Sequence, residues 1–327
     1  MKLFDLQLTT GKMFAGLLER LPNWLSARRR SRSARDEEPP LRAELFSADQ
    51  MEQYGRVLAT RHQLADRRTP DRLLARLSAN EIALSGVCEL LTAAVTGKLR
   101  ITPAGEWLLD NFYLIEEHIR AAKRHLPKGY SHELPRLKYM RSGSSAGCPR
   151  VYDIALEAVA HGDGRVDADS ISRFVAAYQT VTVLRLGELW AIPIMLRLAV
   201  IENLRRVGVL IANGWAERNL ADTWADRMIH AAESDPKSLI LVIADMARSD
   251  PPMAGAFVAE LARRLHGRGP ALALPLTWIE QRLGESGLTI EQLVNAENQQ
   301  QATDQVSVSN SIGSLRVLAA MDWRTFV

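Results

Sequence analysis

At 327 residues, 47% hydrophobic and 24% charged, the chain is long enough to bury one large core or two smaller ones, and its composition excludes a fibrous or intrinsically disordered protein. Its 41 basic and 38 acidic residues leave a net charge of +3, which excludes nucleic-acid binding through overall charge and leaves only local basic patches. Cys88 and Cys148 show no CxxC or Cys/His ligand spacing, so neither a zinc site nor a disulfide framework is expected, and a reducing compartment fits.

The chain opens with a weakly amphipathic stretch, Leu3 to Leu25, in which Asp5 and Lys12 break what would be the apolar core of a signal peptide, so export is not expected. It runs into a Ser/Arg segment carrying Arg28, Arg29, Arg30, Arg32 and Arg35. Such a cluster attracts phosphates, and an anionic lipid surface is the candidate partner; a solvated linker is the alternative. Asp36 to Pro40 stops any helix, so residues 1–40 read as a basic arm, lying on a membrane surface or disordered, and 41–327 as a helical module.

Helix starts then recur. Ser47 with Gln50 has capping-box spacing and predicts a helix towards Leu64. Thr69-Pro70 opens a second, through Leu73, Leu77, Leu84, Val87 and Leu91 to Gly97. Thr102-Pro103 opens a third, whose Trp107, Leu108, Phe112, Ile115 and Ile119 form one face as far as Pro127. Residues 130–149 have no periodicity and read as a long loop. Helices resume at Val151–His161 and, after the turn Gly162-Asp163-Gly164, from Asp167 to about Val181.

Leu186 to Arg206 holds the largest block of apolar surface. Leu189, Trp190, Ile192, Ile194, Met195, Leu196, Leu198, Val200 and Ile201 cover every face of a helical wheel, which predicts a central buried helix. Glu188, Arg197 and Glu202 interrupt it too early for a bilayer span of roughly 20 residues. Trp190, Pro193, Arg197 and Glu188 are therefore expected in the structural core. Pro193 should start or kink the helix, and Arg197 should find a carboxylate or carbonyl partner, first Glu188 or an acid from another helix; an arginine snorkelling at the domain edge is the alternative. Further helices follow at Trp215–Ala232, Pro236–Arg248, Pro251–His266, Leu274–Leu283 and from Thr289. The fold class is all-α, about ten or eleven helices in an irregular bundle or array. The apolar face Leu315, Val317, Leu318, Met321, Trp323, Phe326 and Val327 stops without a cap, as expected of a chain truncated at its C-terminus, with a terminal helix docking back on the core as the alternative.

Chemical motifs are sparse. Asp167-Ala168-Asp169 has DxD spacing, but at a helix start where Asp167 caps more simply. Asp163 to Phe174 fails as a calcium loop, with Ala168 in place of glycine and Phe174 in place of glutamate. Asp153 and Glu157 share a helix face as a glycosidase pair would, and as solvated acids commonly do. No catalytic, cofactor-binding or metal-binding residue is assigned, and no cofactor is expected.

Several segments together resemble the N-terminal region of bacterial cyclic β-1,2-glucan synthases. They are LRAELFS (41–47), ITPAGEWLLDNFYLIEEHIR (101–120), HLPKGYSHELPRL (125–137), PRVYDIALEAVAHGDGR (149–165), FVAAYQTVTVLRLGELWAIPIMLRLAVIENLRR (174–206), ESDPKSLILVIADMARSDPPM (233–253), LPLTWIEQRL (274–283) and VSNSIGSLRVLAAMDWRTFV (308–327). The chain departs from the family's GYPRVY at Gly147-Cys148-Pro149. The resemblance implies a non-catalytic module on the cytoplasmic face of the inner membrane. Its partners would be downstream transmembrane and glycosyltransferase domains that transfer glucose from UDP-glucose. Expressed alone, the chain would be cytoplasmic. Two alternatives stay open: an α-helical glycoside-active enzyme using Asp153, Glu157 or Glu188, and a basic nucleic-acid binder using the arginine cluster, although nucleic acid is not the expected partner.

Overall fold

The computed structural model describes residues 38–65, 72–126, 133–138 and 147–321. These form an all-α helical array. Its helices are α1 (Ala48–Arg61), α2 (Leu73–Thr96), α3 (Pro103–Asp110), α4 (Phe112–His125), α5 (Arg150–His161), α6 (Ala168–Gln179), α7 (Leu186–Ser234), α8 (Leu239–Ser249), α9 (Gly255–Leu265), α10 (Ala273–Gly284) and α11 (Ile290–Ala320). Short 3₁₀ turns at Pro236–Ser238 and Pro270–Leu272 lead into α8 and α10. Among the described residues β pairing is limited to isolated bridges, Leu64 with Leu137 and Arg136 with Pro149, which tie the described parts of the long loop to the end of α1.

The capping signals form as the sequence predicts. Ser47 Oγ accepts from Gln50 N at 3.3 Å while Gln50 Oε1 accepts from Ser47 N at 2.8 Å. Thr102 and Asp167 cap α3 and α6 through Gly105 N and Ser170 N. Thr69-Pro70 lies outside the described residues.

Three elements differ from expectation. The helix expected from Pro103 to about Leu126 is two, because the Asn111 side chain donates to the Trp107 carbonyl at 2.8 Å and offers the backbone an alternative to continued helix. Conversely, the two helices expected around Leu186–Arg206 and Trp215–Ala232 are one helix of 49 residues. Val207, Ile211, Ala212 and Trp215 are all buried across the expected gap, and apolar burial carries the helix through Gly208 and Gly214. Pro193 sits inside α7, neither at its start nor at a break, so the Leu189 carbonyl has no i+4 backbone donor.

By compactness the chain divides into two units, Met1–Val209 with Gln305–Val327, and Leu210–Asp304. The first holds Leu84, Val87, Leu91, Leu108, Ile115, Phe174, Met195, Ile312 and Leu315 at its core. Here α1 lies along α6 at close range: a Cβ on Gly55 would stand 2.9 Å from the Phe174 carbonyl oxygen, so only glycine permits the approach. The second packs Ala225, Met228, Phe257, Val258, Leu261, Ile279 and Leu283 together. Each such Leu, Ile, Val, Met or Phe contributes about 1.5–3 kcal/mol on burial. Among the described residues, no helix is long and apolar enough to cross a membrane.

The first turns of α7 are not apolar all round in their surroundings. Trp190, expected in the core, is 64% exposed, and Leu186, one turn earlier on the same face, is 60% exposed. Ala191, Ile192 and Met195 take the buried face instead, and burial on all sides begins only at Leu198. Pro193 and Arg197 are half-buried, while Glu188 is fully buried.

Candidate functional site

The chemistry-bearing side chains of the first unit gather where helices meet, and Glu202 is their centre. It lies on α7 with no solvent exposure and accepts from Arg76 Nε at 2.9 Å and Nη2 at 2.7 Å, Arg205 Nη2 at 2.6 Å, Arg206 Nε at 2.8 Å and Asn80 Nδ2 at 2.8 Å. Burial alone would push this carboxyl up. The hydrogen bonds and charge of Arg76, joined by Arg205 and Arg206, outweigh burial and hold it well below the usual carboxylate range. Glu38 closes the cluster from outside, accepting from Arg76 Nη2 and Arg205 Nη2.

A second buried pair fixes the start of α7 against α5. Arg150 donates to Glu188 from Nε at 2.6 Å and from Nη2 at 2.7 Å, a two-pronged pair. The same Nη2 reaches the Val183 carbonyl, and Arg185 N donates to Glu188 at 2.9 Å. Glu188 is thus the partner of Arg150 and not, as expected, of Arg197.

Among the described residues Arg197 has no carboxylate partner. Its Nε donates to His118 Nδ1 at 3.0 Å and its Nη2 lies 3.4 Å from the Leu318 carbonyl oxygen. His118 accepts only with Nδ1 unprotonated, and burial together with the Arg197 charge lowers its pKa to about 4. Burial likewise lowers the pKa of Arg197. A carbonyl was one of the two partner types expected; the imidazole was not.

The acids considered for glycoside chemistry are also tied to neighbouring elements. Asp153 Oδ2 lies 2.9 Å from His62 Nε2, and His62 Nδ1 lies 2.8 Å from the Tyr178 hydroxyl, linking α5, α1 and α6. Glu157 accepts from the Tyr54 hydroxyl at 2.6 Å, and burial with this bond pushes the phenol well up from its ordinary value. His161 stacks on Phe46 at 3.9 Å between ring centroids.

The turn after α5 docks on α11. Asp163 and Gly164 adopt left-handed φ of 46° and 81°. Ser307 donates to the Asp163 carboxylate, Asn310 Nδ2 to its carbonyl, and Ser314 Oγ to the Gly164 carbonyl at 2.8 Å while accepting from Val166 N. The residues of the failed DxD and calcium readings therefore serve as cap and docking turn. Among the described residues, no group of three or more His, Cys, Asp or Glu side chains gathers as metal ligands. Cys88 and Cys148 are free thiols that burial pushes up.

Arg28, Arg29, Arg30, Arg32 and Arg35 lie outside the described residues. The expected core residues do not meet at one site: Glu188 belongs to the Arg150 pair, Arg197 to His118, and Trp190 faces solvent. Sequence reasoning missed the Glu202 cluster, although an acid followed by arginines three and four residues later in an apolar helix signals a buried counter-charge. It also missed the serine face of α11, whose signal was Ser307, Ser311 and Ser314 at helical spacing.

No protein-family model matches the chain. Over 284 residues it is 32% identical to the cyclic beta-(1,2)-glucan synthase NdvB of Rhizobium meliloti (strain 1021). The match takes in 86% of this chain and 10% of that protein, so the chain corresponds to a part of it. The resemblance read from the sequence segments is borne out by this match.

Proposed function

We propose, with the match to a part of a cyclic β-1,2-glucan synthase as premise, that this chain is a non-catalytic helical module of such a synthase. It braces or regulates glucosyl transfer from UDP-glucose, and parts of the parent protein outside these 327 residues carry out the transfer. The observation that carries the non-catalytic reading is the use made of the acids. A glycosidase needs a pair of carboxyls facing a sugar, one free to donate a proton and the other to attack or activate water. Asp153 is held by His62, Glu157 by Tyr54 and Glu188 by Arg150, each as a tie between elements.

On this reading the module lies on the cytoplasmic face of the inner membrane as part of its parent, with Arg28 to Arg35 against anionic lipid. Val183, Leu186 and Trp190 then face the parent's transmembrane and transferase domains. Support for that contact comes from exposure: large apolar side chains clustered in solvent mark a covered surface, and tryptophan is a frequent anchor of such contacts. The test is glucosyl transfer by the purified chain from radiolabelled UDP-glucose to a β-1,2-glucan acceptor. Incorporation equal to a heat-killed control is expected; turnover would overturn the non-catalytic reading.

A further inference from the structure

Residues 38–46 form an irregular strap on the first unit, bent at Leu41 where Arg42 N donates to the Pro40 carbonyl. Leu41 N donates to Asn203 Oδ1 at 2.9 Å, Ala43 N to the Ala160 carbonyl at 3.1 Å and Phe46 N to the His161 carbonyl at 3.3 Å. At the head of the strap, the Glu38 side chain is 36% exposed and its carboxylate sits where three guanidinium groups converge. Arg76 Nη2 lies 2.8 Å from Oε1 and 2.9 Å from Oε2, Arg205 Nη2 lies 2.5 Å from Oε2 and Arg206 Nη2 3.4 Å from Oε2.

Among the described residues, Arg76, Arg205 and Arg206 supply three positive charges against two negative ones on Glu202 and Glu38. Glu202 is buried and fixed, whereas Glu38 is half-exposed and held on a strap. Arg205 Nε and Arg206 Nη2 are buried without a hydrogen-bond acceptor among the described residues, Arg206 Nη2 making only the longer ion pair to Glu38. Arg206 as a whole is 6% exposed, so this Nη2 lies in the cluster beside Glu38 rather than in water. With the Glu38 carboxylate withdrawn, the arginines would exceed Glu202 by two charges, with their Nη2 groups converging on one point. A phosphate group matches that site better than a carboxylate does, with about −1.5 to −2 charges and three acceptor oxygens for guanidinium donors.

We propose that Arg76, Arg205 and Arg206 form an oxyanion site which the Glu38 carboxylate fills in this conformation, and which takes a phosphate group when the strap lifts. Glu38 is then a built-in competitor for a phosphate-bearing ligand. The proposal is independent of glucan chemistry, since it rests on the cluster alone.

The test compares the wild-type chain with Glu38→Ala in chloride and in inorganic phosphate or UDP, at equal ionic strength. Phosphate should raise the melting temperature of Glu38→Ala by at least about 3 °C more than that of the wild type. Adding Arg205→Gln to Glu38→Ala should remove the extra shift. A larger shift with UDP than with phosphate assigns the ligand as a nucleotide, and equal shifts assign it as free oxyanion. Equal phosphate responses of wild type and Glu38→Ala would overturn the proposal. If Glu38→Ala folds only in phosphate the proposal stands. If it folds in neither while Glu38→Gln folds and ignores phosphate, Glu38 is a structural counter-charge and the proposal fails.

Discussion

The fold opposes protonation of His118, because its Nδ1 is the acceptor for Arg197 Nε. In the unfolded chain it takes up its proton near pH 6.5, and in the fold at about 4. Between those values the unfolded state binds more protons, so this residue's contribution to stability is complete above pH 6.5 and is lost as pH falls towards 4. The slope is about 1.4 kcal/mol per pH unit at most. His118→Gln retains an acceptor and removes the titration. Urea-unfolding midpoints between pH 7 and pH 4 should therefore fall less steeply for the variant than for the wild type, and parallel curves would refute the assignment. The pairing of Arg197 with His118 shows why the partner was not legible in sequence: the need for an acceptor follows from a guanidinium among apolar neighbours, but its identity depends on α4 and the end of α11 arriving at the same place.

At the scale of elements, caps and propensity were legible and continuity was not. Ser47 with Gln50, Thr102 and Asp167 placed helix starts correctly, since a cap is a contact within four residues. The merging of two expected helices into α7, the break at Asn111 and the solvent-facing Trp190 depend on what packs alongside. The docking of the Gly162-Asp163-Gly164 turn on α11 is likewise a long-range fact. Gly164 has φ of +81°, and a Cβ there would stand 2.3 Å from Ser311 Oγ. Gly164→Ala should destabilise the chain by about 2 kcal/mol or more, from backbone strain together with overpacking. Equilibrium urea unfolding measures it; Gly267→Ala is the comparison, as its positive φ is accompanied by no neighbouring atom within 4 Å.

For the whole molecule, Val183, Leu186 and Trp190 are large apolar side chains left exposed at and just before the start of α7. Trp190→Ser should leave stability unchanged within about 0.5 kcal/mol, as for other exposed positions, and should raise solubility. If the strip meets the rest of a synthase, the same substitution should weaken association of this chain with the remaining parental domains in a pull-down; unaltered capture would detach the strip from that role. The sequence by itself determined the all-α class, most helix starts and the relationship to a glucan synthase, because periodicity, caps and matching segments are written along the chain within short reach. Only the tertiary structure decided that Arg76 joins Arg205 and Arg206 on Glu202, that Glu188 pairs with Arg150, that Glu38 returns to the cluster from the head of a strap, and that Trp190 faces water. Those outcomes depend on residues scores of positions apart being brought together, and a buried charge is stable only once its distant partners have arrived.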